Sequence, residues 1–86
     1  MNINNNTNIE NLKKEIIRQK WEKTDRNGRK YLILKLDSEK TVFVFSSKIK
    51  EERWEWLEED KEYNLTVESG NNDSILLIDF EIEVNT

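Results

Sequence analysis

These 86 residues contain no cysteine, no histidine and no proline, and only two glycines, Gly28 and Gly70. Without thiolate or imidazole there is no thiolate zinc site, no nucleophile activated by histidine and no disulfide framework. Two isolated glycines do not build a loop that cradles phosphate. Long hydrophobic runs are also missing: the apolar fraction is 35% and charge interrupts it throughout, too often for a transmembrane span. No charged segment leads into an apolar stretch after Met1, so a signal peptide is not expected. The lack of cysteine fits an intracellular, cytoplasmic protein. Carboxylates are plentiful, which leaves Mg²⁺-dependent nuclease chemistry open in principle. They alternate with core positions, however, and do not gather where they could converge in one cleft. The expectation is a binding module and not an enzyme, with no cofactor, no metal and no membrane partner.

What is present is charge, unevenly spread. Residues 1–50 carry 12 basic and 6 acidic side chains, for +6, whereas residues 51–86 carry 2 and 12, for −10. The total of −4 thus hides a basic half and an acidic half in a chain long enough for one domain. The split fits a body with one side turned to a polyanion. It equally fits two solvated surfaces of opposite sign.

Along the chain, residues 1–8 are rich in asparagine and read as a flexible polar tail, with the folded domain spanning 9–86. Thr7 and Glu10 have capping-box spacing, and Ile9, Leu12 and Ile16 form a stripe, so a short helix ending near Glu15 or Ile16 is expected. Residues 16–24 alternate as a strand with Ile17 and Trp21 inward, and a bulge absorbs Gln19. Asn27-Gly28 suits a turn that needs positive φ. Lys30–Leu36 follows as a strand with Leu32, Leu34 and Leu36 on one face and Tyr31, Ile33 and Lys35 on the other. Asp37–Lys40 turns the chain into a third strand, Thr41–Phe45, where either the Val42/Val44 pair or the Phe43/Phe45 pair faces the core.

The spacing of Ile49, Arg53, Trp56 and Leu57 predicts an α-helix over Lys48–Glu59, capped by Ser46 or Ser47, with Trp54 off the apolar face. Arg53 is expected to lay its stem over the end of the core. Tyr63, Leu65 and Val67 mark a fourth strand, 69–74 a hairpin loop, and Leu76, Ile78, Phe80, Ile82 and Val84 the inward face of a fifth. Leu77, Asp79, Glu81 and Glu83 are then its outer face. The fold class is all-β with one helix.

Three strands, a helix and two strands within about 70 residues form the order of a five-stranded Greek-key barrel with its helix between strands three and four. The segment IIRQKWEKTDRNGRKYLILKL, TVFVF and the junction LEEDKEYNLTV resemble the OB-fold nucleic-acid-binding domains of the replication protein A and single-stranded DNA-binding type. In the junction Asp60 stands where that family commonly has glycine. The resemblance implies non-catalytic binding of single-stranded nucleic acid, DNA ahead of RNA, with little sequence preference, on the face of strands one to three.

Such a site needs cations for phosphates and flat rings for bases. Lys20, Lys23, Arg26, Arg29, Lys30 and Lys35 are the candidate phosphate contacts, and Tyr31, Phe43 and Phe45 the candidate stacking rings. The 69–74 loop has no basic residue and adds no second clamp. A homo-oligomer or a larger complex is compatible with so small a module. The competing expectation is a protein-interaction module, a subunit of a replication or repair complex or an inhibitor of a host factor of the phage or plasmid type. It would dock through Trp54, Glu55, Glu58 and the acidic last strand.

Overall fold

Lys30–Leu36 and Thr41–Phe45 alternate cleanly between branched or aromatic side chains pointing to opposite faces, and both form strands over those residues, β2 and β3. A computed structural model describes residues 8–69 and 75–82. Around this pair lie β1 (Asn8–Thr24), β4 (Glu62–Ser69) and β5 (Ile75–Ile82), with a 3₁₀ helix at Glu51–Trp56 between β3 and β4. The five strands close into a barrel in the order β1-β2-β3-β5-β4. Every ladder is antiparallel except β3 with β5, which run parallel and are joined at the single pair Phe43 and Leu76. Among the described residues no helix is long and apolar enough to cross a membrane.

The expected N-terminal helix is not there. Thr7 and the polar tail lie outside the described residues, and from Asn8 onward the chain is strand. Leu12 pairs with Leu65 and Ile9 with Glu68, so a partner more than 50 residues away overrides the local helical spacing. β1 is 17 residues long because it serves two ladders, first β4 and then β2. Two irregularities make the transfer, one between Leu12 and Glu15 and one between Ile17 and Gln19. At the first, Lys14 has φ 56° and its amide donates to Asn64 Oδ1 at 3.0 Å. At the second, Arg18 leaves the ladder and its guanidinium reaches Asp37 at 2.9 Å and Asp60 at 3.2 Å. These two carboxylates raise the pKa of Arg18.

The core is one cluster drawn from every element, including Leu12, Ile17, Leu32, Leu34, Leu36, Val42, Val44, Ile49, Trp54, Leu57, Tyr63, Leu65, Val67, Leu77 and Phe80. No charged or polar side chain is buried among the described residues apart from the Trp and Tyr rings. Val42 and Val44 face inward, which leaves Phe43 and Phe45 half-buried on the outside.

Lys48–Glu59 does not form the expected α-helix. Only two turns of 3₁₀ helix form, and winding at three residues per turn keeps Trp54 and Leu57 in the core. Neither Ser46 nor Ser47 caps it; the N-cap is Lys50, without a side-chain bond. At three residues per turn Trp54 and Leu57 share a face, and both are buried. Trp56 was expected inside on 3.6-residue spacing, and it is 53% exposed. The Trp54 indole Nε1 donates to the Ile49 carbonyl at 2.9 Å, so the ring closes the barrel with its polar atom satisfied. Arg53 lies over the Phe80 ring at 4.6 Å and reaches Asp79 at 3.4 Å.

β5 also departs from simple alternation. Thr66 pairs with Asp79 and Val67 with Leu77, so Ile78 is an extra residue and the inward face changes from Leu77 to Phe80. Leu76 and Ile78 are half-buried and Ile82 is exposed, contrary to the expected inward row. Asp79 and Glu81 are exposed, as expected; Glu83, Val84 and the loop residues 70–74 lie outside the described residues.

Candidate functional site

Paired residues on neighbouring strands point to the same side of a sheet, so the ladders give the composition of the outer face. With Leu32, Leu34, Val42 and Val44 inside, three rows cross it. Lys23, Tyr31 and Phe45 form one; Trp21, Ile33, Phe43 and Leu76 the next; Gln19, Lys35 and Thr41 the third. The middle row is apolar across four strands, about 14 Å at the usual spacing of about 4.8 Å between strands. Polar or charged residues flank it on both sides.

The rings are ordered against one another. Tyr31 and Phe45 have centroids 5.5 Å apart and planes 29° apart; Phe43 and Phe45 are 6.4 Å and 17° apart. Together with Leu76 and Asp25 they line a shallow depression of about 320 Å³. It shares Asp25 and Phe45 with a second depression of about 240 Å³, which Arg29, Lys30, Ser46 and Ser47 complete.

The β1–β2 turn is preorganised by Asp25. Its Oδ1 accepts from the amides of Asn27 at 2.8 Å and Arg29 at 2.9 Å, and its carbonyl accepts from Gly28 at 3.0 Å. Gly28 takes φ 82°, the left-handed region that the Asn-Gly pair foretold. The turn thereby holds Arg26 and Arg29 at the edge of the aromatic face.

The six candidate cations are not equivalent. Lys23 and Lys35 stand on the face itself, Arg26 in the turn, and Arg29 in the depression beside Phe45. Among the described residues none of these four forms an ion pair. Lys30 lines the same depression but lies 3.7 Å from Glu22. Lys20 is elsewhere: it pairs with the buried Leu34, and its Nζ donates to the Trp54 carbonyl at 2.9 Å. It therefore belongs to the barrel end under the 3₁₀ helix.

Trp21 is the residue that the sequence pattern missed. It was expected in the core with Ile17, but the irregularity at Arg18 reverses the alternation and leaves it opposite Ile33, 40% exposed on the outer face. The signal was the misfit of Gln19, since a bulge that turns Gln19 outward turns Trp21 outward as well. Of the residues expected for protein docking, Glu55 and Glu58 are exposed, whereas Trp54 is 5% exposed and inaccessible to a partner. No group of carboxylates among the described residues is placed to hold a metal ion.

No family model, no curated protein and no solved structure matches this chain.

Proposed function

We propose that this chain is a single OB-fold module that binds single-stranded nucleic acid, DNA ahead of RNA, without catalysis and with little sequence preference. The strand order β1-β2-β3-β5-β4, closed on itself with β3 parallel to β5 and a short helix before β4, supports the assignment of the fold. One observation carries the function: partly exposed Tyr31, Phe45 and Phe43 stand in a stacked series beside Trp21, bordered by cations that have no carboxylate partner among the described residues. Bases stack on such rings regardless of identity, and Lys23, Arg26, Arg29 and Lys35 meet the phosphates between them. Net charge is no obstacle, because 12 of the 18 acidic side chains fall in residues 51–86, outside β1, β2 and β3.

The test is titration of tryptophan fluorescence with oligo-dT. Exposed Trp21 is expected to be quenched on binding, with log K falling against log salt at a slope of about −2 to −3 for three or four phosphate contacts. Absence of binding at low salt overturns the proposal.

A further inference from the structure

At the opposite end of β5 from Leu76 lies a second apolar depression, of about 290 Å³, lined by Trp56, Glu58, Lys61, Tyr63 and Ile82. Six residues of extended chain separate Leu76 from Ile82, about 20 Å, so this surface is distinct from the aromatic face of β2 and β3. Trp56 and Ile82 are 53% and 48% exposed, and both stand out from a barrel whose other large apolar side chains are mostly covered. The backbone at Trp56 is nevertheless fixed. The buried Tyr63 hydroxyl donates to its carbonyl and accepts from the Glu58 amide, clamping the backbone on either side of Leu57. A half-exposed indole on a clamped backbone, beside an aliphatic wall, is an anchor whose backbone ordering cost is already met within the fold.

The charge around it selects the occupant. Residues 51–62 hold seven acidic and two basic side chains. Glu58 lines the depression and Glu55 adjoins Trp56 in sequence. Lys61 is paired with Glu58 at 3.5 Å, Arg53 with Asp79 at 3.4 Å and Asp60 with Arg18 at 3.2 Å, which leaves Glu51, Glu52, Glu55, Glu59 and Glu62 without an ion pair among the described residues. We infer that this surface docks a basic peptide segment of a partner protein, which places one large apolar side chain between Trp56 and Ile82 and Lys or Arg against the surrounding carboxylates. Complementary charge gives the direction of approach and rejects acidic segments. The inference stands independently of nucleic-acid binding.

The experiment is selection of a random-peptide phage library on the intact immobilised chain, followed by titration of a selected peptide. Enriched peptides are expected to carry a large apolar residue flanked by Lys or Arg. Binding is expected to weaken at least tenfold in Trp56→Ala and in Glu58→Lys, and to persist in Trp21→Ala. Because the Tyr63 bond uses the Trp56 backbone, Trp56→Ala is expected to keep the wild-type circular dichroism spectrum. Three results overturn the inference: no enrichment, enrichment of acidic or uncharged peptides, or undiminished binding to Trp56→Ala. A concentration-dependent dimer in sedimentation that Trp56→Ala abolishes assigns the face to a second copy, and this also overturns it.

Discussion

Lys20 Nζ donates a hydrogen bond to the Trp54 carbonyl oxygen, 2.9 Å away, joining the middle of β1 to the helix that closes the barrel. A lysine that reads as one of six equivalent cations thus has a structural partner, while Lys35, four strand positions from Tyr31, has a solvent-facing place in the outer rows.

The two lysines are therefore expected to separate on substitution. Lys20→Gln is expected to lower stability by about 1–2 kcal/mol, the worth of a charge-assisted bond to a half-buried carbonyl, and to leave oligonucleotide affinity unchanged. Lys23→Gln and Lys35→Gln are expected to leave the melting temperature unchanged. Each is expected to weaken binding and reduce the magnitude of the salt slope by about 0.7. Thermal melts and titrations at several salt concentrations check both halves.

Trp21 and Trp54 are expected to divide in the same way. Trp21→Ala removes a surface ring and is expected to cost about 1–3 kcal/mol of oligonucleotide binding with little loss of stability. Trp54→Ala empties the barrel end and is expected to cost about 3–5 kcal/mol of stability. Urea unfolding beside the binding titration distinguishes them.

Gly28 has φ 82°, and a Cβ built there meets nothing within 4 Å. Substitution is opposed by backbone conformation alone. Gly28→Ala is expected to cost about 1–2 kcal/mol, and Gly28→Asn less, because Asn tolerates the left-handed region. Denaturation midpoints of the two variants give the comparison.

Burial pushes the Tyr63 phenol above its ordinary value of 10.0, against the Glu58 amide, which favours the phenolate. The folded chain thus holds this proton more tightly than the unfolded chain. The stability it contributes is complete below a pH of about 10 and is lost as pH rises through the folded-state value. Tyr63→Phe is expected to lower stability by about 1–3 kcal/mol at neutral pH, since the Glu58 amide and Trp56 carbonyl lose their partner. It is also expected to flatten the alkaline fall, as unfolding curves between pH 8 and about 11 would show.

How far the residues foretold these features depends on whether neighbours or distant partners decide them. The bounds of β2 and β3, the Leu32/Leu34/Leu36 row and the turn at Asn27-Gly28 follow from local alternation and backbone preference, and all are visible in the sequence. The strand at Asn8–Glu15 is not, because its ladder with β4 is a contact across 48 to 61 residues that no local window contains. Trp54 and Trp56 exchanged places for one reason: a helix with three residues per turn presents a different face from one with 3.6. Trp21 faces outward, against the simple alternation from Ile17, because one residue, Arg18, leaves the ladder. In the candidate site, the outward place of Tyr31 on β2 was legible; alternation on β3 does not choose between the Phe43/Phe45 and Val42/Val44 faces, and the ring of β1 was not legible.

The seam between β3 and β5 is the narrowest of the five, a single pair at Phe43 and Leu76. Opening of the barrel, followed by amide exchange, is expected to begin there, where the fewest backbone bonds must break. A strand of bases laid over Phe43 and Leu76 would span that seam from outside. Occupancy would then register as slower exchange at β3 and β5, so the ligand would act as a staple on the wall that carries it.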